Sequence, residues 1–146
     1  MKINQTNSKA LAAISLSIIM AALFSYQAVQ AQREVPTEHK GVKVKNLGIV
    51  SESSMVTQIG LRGYKMQLRE ITLAPGGQIA RHDHFKRPGL VWSLSGSWIE
   101  GRPGSEKAYP AGLDEAIVED ADTEHWFWND NAEPARVVVC DLVPAQ

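Results

Sequence analysis

Cysteine is almost missing from these 146 residues, with Cys140 the only one. An intrachain disulfide is therefore impossible, whatever compartment the chain reaches. Beyond residue 31 there is no long apolar run, no internal repeat, no low-complexity tract and no sustained helical period. Repeat architectures and long-helix bundles are excluded from that stretch. No basic cluster exists either, and 15 Lys and Arg against 16 Asp and Glu leave a formal charge of −1. Such a surface suits neither nucleic acid nor anionic membrane, so the expected partner is a small molecule. What is present is ordinary for a folded protein: 44% hydrophobic and 21% charged residues exclude wholesale disorder. The length leaves room for one domain.

The first thirty-one residues read as a signal peptide. Lys2 and Lys9 are their only charges, ahead of an apolar run from Ala10 to Phe24. The polar stretch SYQAVQA then puts Val29 and Ala31 at the small-residue positions of a cleavage site. Fifteen apolar residues fall short of the roughly 18–20 that span a bilayer, so no stable membrane anchor is expected. No Arg-Arg pair precedes the run and no Cys follows it, which argues against twin-arginine export and a lipid anchor. The expectation is a chain exported unfolded, periplasmic or secreted. Cleavage after Ala31 removes two positive charges and makes the protein more acidic.

Residues 32–46 are polar, with Pro36 and the alternation KGVKVKN, and read as a loosely held arm able to add an edge strand. Residues 47–146 form the expected domain. Gly and Pro punctuate it at short intervals, from Gly60 and Gly63 through Pro75-Gly76-Gly77 to Pro134. The segments between are too short for stable helices and right for strands, roughly eight to ten of them. The fold class is all-β, closed as a barrel or sandwich. In YKMQLREITL, Tyr64, Met66 and Leu68 share one parity, and Ile71 and Leu73 the other. That switch predicts a bulge near Arg69-Glu70.

Four histidines follow residue 31, and three of them carry a chemical pattern. His82-Asp83-His84 puts two imidazoles on one face of a strand. In HWFWN, His125, Phe127 and Asn129 share a face, and Trp126 and Trp128 take the other. A lone buried His is more often a hydrogen-bonded core residue than a ligand, but three converging inside a barrel suit zinc, iron, manganese, nickel or copper. One divalent ion of that group is the expected cofactor.

Gly76, five residues, His82-Asp83-His84 and a closing Gly96 together resemble the first motif of the cupin superfamily. His125, three residues and Asn129 resemble the end of its second motif, whose earlier Pro-x-Gly is degraded here to Asp120-Ala121-Asp122. The resemblance spans about Leu61 to Val143 and implies an antiparallel jelly-roll barrel, with His82, His84 and His125 as metal ligands. It also exposes a departure. The family's glutamate ligand falls at Pro88 or Gly89, and neither can bind a metal. The expectation is an all-neutral ligand set that favours an anionic substrate, with Arg87 pairing its charge or lying on the surface.

Trp92, Trp98 and Phe127 are candidates to line a pocket or fill the barrel. Trp126 and Trp128 suggest sheet packing or a subunit interface, and cupins commonly form homodimers through a sheet. Glu124 and Asp122 are candidates to orient an imidazole, against the simpler reading of solvated turn acids. Glu70 is the nearest candidate for a general base, and Cys140 reads as an inert barrel residue. Two functions remain: a small-molecule metalloenzyme of dioxygenase, lyase or isomerase type, or a non-catalytic protein that captures an anion or sugar.

Overall fold

Turn residues decide where strands stop, and the segments between them pair antiparallel in the computed structural model, which describes residues 33–112 and 114–145. The chain divides into a unit ending at Glu34 and a second beginning at Val35. Only Arg33 and Glu34 of the first are described, so the expected signal peptide lies outside the described residues. Among those residues no helix is long and apolar enough to cross a membrane.

The second unit runs β1 (Lys40–Val50), α1 (Glu52–Ile59), β2 (Tyr64–Asp83), β3 (Gly89–Ser95) and β4 (Trp98–Arg102), then β5 (Ser105–Tyr109), β6 (Ile117–Glu119), β7 (Glu124–Trp128) and β8 (Ala135–Pro144). The eight strands join one sheet in the order β5-β4-β7-β2-β8-β3-β6, with β1 added beside β2. The expected all-β jelly roll is what forms.

β2 organises the sheet because it changes partners along its length. Tyr64 to Leu73 pair with β8, while Gln78 to Asp83 pair with β7. The change falls at Pro75-Gly76-Gly77, where Gly76 has φ 65°. A Cβ on Gly77 would lie 2.7 Å from the Ala74 carbonyl oxygen, so only glycine fits. Asn129 locks this bend: its side-chain amide donates to the carbonyls of Leu73 and Glu133, both at 2.9 Å. Its backbone exchanges hydrogen bonds with Gly76 and Gly77 at 2.8 and 3.0 Å. The motif residues Gly76 and Asn129 thus act on the scaffold.

The bulge lies elsewhere than expected. β2 pairs β8 without interruption through Arg69-Glu70, and the irregularity facing that stretch is on β1, between Asn46 and Gly48. The parity switch has another cause, because Met66 and Leu68 belong to a partly exposed outer face, whereas Ile71 and Leu73 pack inward. The bulge in β2 is at Ala80-Arg81: Ile79 pairs with Phe127 and His82 with His125, so two residues oppose Trp126 alone. That extra residue turns His82 inward although Ile79, three positions earlier, is also inward.

Residues 40–46 do add the strand the arm was able to form, pairing with β2, but that strand, β1, runs on to Val50, so the boundary at 46/47 falls inside it. Its alternation puts Lys43 and Lys45 outward and Val42 and Val44 toward the cavity. A helix also forms where none was expected. Ser51 caps α1 by accepting the Ser54 N–H at 3.2 Å, and Gly60, at φ 72°, ends it in the left-handed conformation. The barrel core is Leu73, Ile79, Val91, Trp98, Tyr109, Ile117, Phe127, Ala135, Val137 and Val139.

Candidate metal centre

The register of β2 on β7 sets His82 directly across from His125. His84 follows the end of β2 and is held by its N–H, which donates to the Thr123 carbonyl at 3.0 Å. Each ring is then fixed at Nδ1. His82 Nδ1 lies 2.8 Å from the Ala80 carbonyl, His84 Nδ1 2.9 Å from the Arg87 carbonyl, and His125 Nδ1 2.7 Å from Glu100 Oε1. Carbonyls and carboxylates only accept, so each Nδ1 carries a proton, and it is Nε2 that offers the lone pair of the neutral ring.

Those lone pairs converge. His84 Nε2 and His125 Nε2 are 3.0 Å apart, and His125 Nε2 and His82 Nε2 are 3.1 Å apart. Uncharged acceptors facing one another at contact distance repel unless a cation sits among them. Two nitrogens each about 2.1 Å from one ion would be roughly 3.0–3.4 Å apart at ordinary ligand angles, so the donor set fits a transition metal. Burial lowers the pKa of His82 to about 4, helped by the neighbouring His125, His84 and Arg87 and opposed by its bond to Ala80. His84 is lowered as well, first by burial. Both rings are therefore uncharged at neutral pH, as metal ligation requires.

Behind His125 stands Glu100, only 2% exposed. Besides the imidazole it takes the Tyr109 hydroxyl at 3.0 Å and Arg102 at 2.9 Å. Burial works to raise its pKa, but hydrogen bonds from His125 and Arg102 prevail and hold it down to about 2. Burial and the same carboxylate push Tyr109 up to about 12. A carboxylate accepting from Nδ1 fixes the ring and raises the basicity of the nitrogen that faces the metal.

On the other side, strand β6 brings in Glu119 opposite Gly89. Glu119 is 5% exposed, with Oε1 3.6 Å from His125 Nε2 and Oε2 lacking any hydrogen-bond partner. Burial raises its pKa to about 7, Asp141 adds to the rise, and Arg87 and Arg69 oppose it. The space beside the histidines is thus not lined by neutral groups alone, as the loss of the motif acid suggested. Next to it Asp141 accepts from Arg87 Nε at 2.7 Å and Arg69 at 2.9 Å, both on Oδ2. Burial draws the pKa of Arg69 down, while Asp141 supports its charge.

No family model matches the sequence, and no curated protein matches it. Solved structures do. The polyketide cyclase RemF from Streptomyces resistomycificus superposes with a TM-score of 0.56 at 20% identity, over 73% of this chain and 68% of that one. A Cupin_2 domain from an XRE family transcriptional regulator of Enterobacter cloacae gives 0.54 at 18%, over 73% and 100%. A predicted oxalate decarboxylase from Thermotoga maritima gives 0.54 at 17%, over 75% and 94%. The chain has the cupin fold.

The cupin barrel encloses a cavity of about 250 Å³ whose lining includes His82, His84, Arg69, Arg87, Glu119 and Phe127. That is below the roughly 300–1,000 Å³ of pockets for drug-sized ligands, so the space suits a small molecule. Phe127 stacks on Trp98 at 4.2 Å and meets His125 edge-on at 4.6 Å. Arg87 is at the cavity, though already bonded to Asp141. Trp92 is not: it is 43% exposed and stands on the outer face of β3. Gly89, the position of the missing acid, sits on β3 with no left-handed φ.

The outward indoles are not an exposed interface. Trp126 and Trp128 are buried, and Trp126 packs its ring over Gly101 across the β4–β7 pair. Glu124 pairs with Arg81 at 2.6 Å, Asp122 is exposed, and neither orients an imidazole. Glu70 pairs with Arg136 at 2.9 Å on the strand face opposite Arg69, so it is no base for the cavity. Cys140 is half-buried along an outer groove with Met66 and Leu142. Sequence reasoning missed Glu100, Glu119, Arg69 and Asp141, whose signals lay only in strand register.

Proposed function

We propose that this chain is an exported cupin metalloenzyme acting on a small chelating anion, with chemistry of the dioxygenase, lyase or isomerase kind. One observation carries the reading: three imidazole lone pairs converge in a cavity whose wall holds two arginines sharing one carboxylate oxygen. Two guanidiniums against Asp141 leave positive charge to meet an acidic ligand. Zinc, iron, manganese, nickel and copper all accept imidazole ligands. A divalent ion on His82, His84 and His125 would supply Lewis-acid or redox character to an oxygen donor. The chain's own residues do the rest. Glu100 holds the His125 ring, Arg69 and Arg87 orient the anion, and the Trp98–Phe127 stack screens one side from water.

The polyketide cyclase and the predicted oxalate decarboxylase among the structural neighbours support a catalytic use of this barrel. Export rests on the charge, apolar and small-residue order of the first thirty-one residues. A homodimer is proposed through the outer face of β3 and β6, where Leu90, Trp92, Leu94 and Val118 are exposed. A second reading, capture of an anion without turnover, draws support from Glu70, which is engaged by Arg136 instead of facing the cavity.

The test is a calorimetric titration of metal-loaded protein with simple dicarboxylates and enolisable diketones, followed by assays of oxygen uptake and carbon dioxide release. The proposal expects binding that Arg87→Ala weakens, and turnover of at least one ligand. Binding without turnover favours the capture reading. Affinities unmoved by both Arg87→Ala and Arg69→Ala would remove the anion site.

A further inference from the structure

The acid missing from the first motif has a counterpart one strand away. Gly89 opens β3, and its Cα partner across the β3–β6 pair is Glu119. A Cβ built on Gly89 would fall 2.8 Å from Glu119 Oε2 and 3.0 Å from Asp141 Cβ. The space a side chain at residue 89 would enter is therefore already filled by the Glu119 carboxylate. Glycine at 89 is what lets that carboxylate in.

Three observations on Glu119 point toward the histidines. Its side chain is 5% exposed, so the carboxylate is withdrawn from solvent. Its Oε2 has no hydrogen-bond partner, an unusual state for a buried carboxylate oxygen and one that calls for a cation or donor. Its Oε1 is 3.6 Å from His125 Nε2, and Oε2 is 3.4 Å from His84 Nδ1. Two atoms that each lie about 2.1 Å from one ion can be no more than about 4.2 Å apart. Oε1 meets that limit with His125 Nε2 but not with all three imidazoles as the side chain stands, so ligation requires the Glu119 carboxylate to turn toward His82 and His84. The hydrogen bonds of Arg69 and Arg87 go to Asp141, and neither joins the free oxygen of Glu119.

We propose that Glu119 is the fourth protein ligand of the metal, a carboxylate relocated from β3 to the facing position on β6. The proposal rests on the three-histidine site and changes its chemistry. The ligand set would become three imidazoles and one carboxylate, lowering the net charge of the metal centre by one unit and leaving one fewer position for substrate. Across the strand pair a Gly–Glu arrangement does the work of a Glu on β3 itself.

The experiment is titration of metal-free protein with cobalt(II), followed by its visible absorption and by calorimetry, in wild type and variants whose folding is checked by circular dichroism. Glu119→Gln keeps the side-chain size and removes the charge. It should weaken cobalt binding by at least the roughly 10–100-fold that follows loss of a supporting residue, and shift the absorption bands. Gly89→Glu alone should also bind poorly, because its side chain collides with Glu119. The exchanged pair Gly89→Glu with Glu119→Ala should recover affinity to within about tenfold of wild type, since the carboxylate then returns by the other strand. Unchanged affinity and bands in Glu119→Gln, with binding abolished in His82→Ala/His84→Ala, would overturn the ligand while keeping the site. Cobalt binding that survives the double histidine variant would instead overturn the site itself. A folded exchanged pair that stays as weak as Glu119→Gln would refute the equivalence of the two positions.

Discussion

Replacing Glu100 by Gln should loosen the metal without emptying the site. In the native site Oε1 accepts from His125 Nδ1 at 2.7 Å and from Arg102 at 2.9 Å, while Oε2 accepts from the Tyr109 hydroxyl at 3.0 Å. A Gln amide can aim its oxygen at His125 and its NH₂ at Tyr109, whose hydroxyl turns to accept. The Tyr109 hydroxyl proton loses its acceptor, and charge-assisted bonds worth about 1.5–3 kcal/mol become neutral ones worth about 0.5–1.5 kcal/mol. Arg102 is 38% exposed, so its share is discounted for solvent. The net loss of stability should be about 1–3 kcal/mol. Glu100→Ala is harsher, because it strips the acceptor from a buried ring N–H and a buried hydroxyl. Its cost of about 3–5 kcal/mol is a large part of the 5–15 kcal/mol that holds a typical domain. The Gln variant is therefore the informative one. Urea denaturation of metal-free protein reads the stability, and a competitive chelator titration reads the affinity, expected to fall about 10–100-fold as His125 loses basicity. Unchanged values in both assays would refute the view that Glu100 holds the ring for the metal.

Asp141→Ala should destabilise the protein by about 3–5 kcal/mol, since Arg69 and Arg87 lose the oxygen they share; a denaturation midpoint within error of wild type would contradict this. Acid should weaken the metal-free protein in two stages. The folded state holds His82 at about 4, below its ordinary 6.5, so its contribution is complete above pH 6.5 and is lost as pH falls to 4. Glu100, held at about 2, contributes fully above pH 4.5 and is lost as pH falls toward 2. Glu119 runs the other way: raised to about 7, it stabilises below pH 4.5 and loses that contribution as pH rises through 7. Metal-free Glu119→Gln should therefore gain on wild type between pH 4.5 and 8, and a constant difference across that range in urea melts would count against a buried carboxyl there.

The histidines were legible in the sequence because their information is local. A spacing of two on a strand, or His125 with Asn129 four residues on, is enough to place them. Gly76 and Asn129 were legible for the same reason, although their task proved to be locking the β2 bend. Glu100 and Glu119 were not legible, because each arrives by register. Glu100 pairs with Phe127 through the β4–β7 ladder, and Glu119 reaches Gly89 through β3–β6. Nothing in their own neighbourhoods distinguishes them from solvated acids. The switch of apolar parity along β2 is real, but it has another origin. Met66 and Leu68 are apolar on the outer face, so a change of apolar parity did not mean a change of backbone direction. The bulge at Ala80-Arg81 was hidden because inward positions on either side of it are filled by chemically different residues, Ile79 and His82. Alternation in HWFWN was likewise read correctly, yet exposure did not follow, since Gly101 lets the Trp126 ring lie flat on the neighbouring strand.

The central claim is that three imidazoles converge in order to hold one metal ion. Its most direct test is the metal content of protein recovered from the compartment to which the cell delivers it. Elemental analysis should find about one first-row divalent ion per chain in wild type. His82→Ala/His84→Ala, still folded by circular dichroism, should contain almost none. Equal metal in the two proteins, or a wild type that takes up no transition metal even when titrated with zinc and cobalt at neutral pH, would contradict the account.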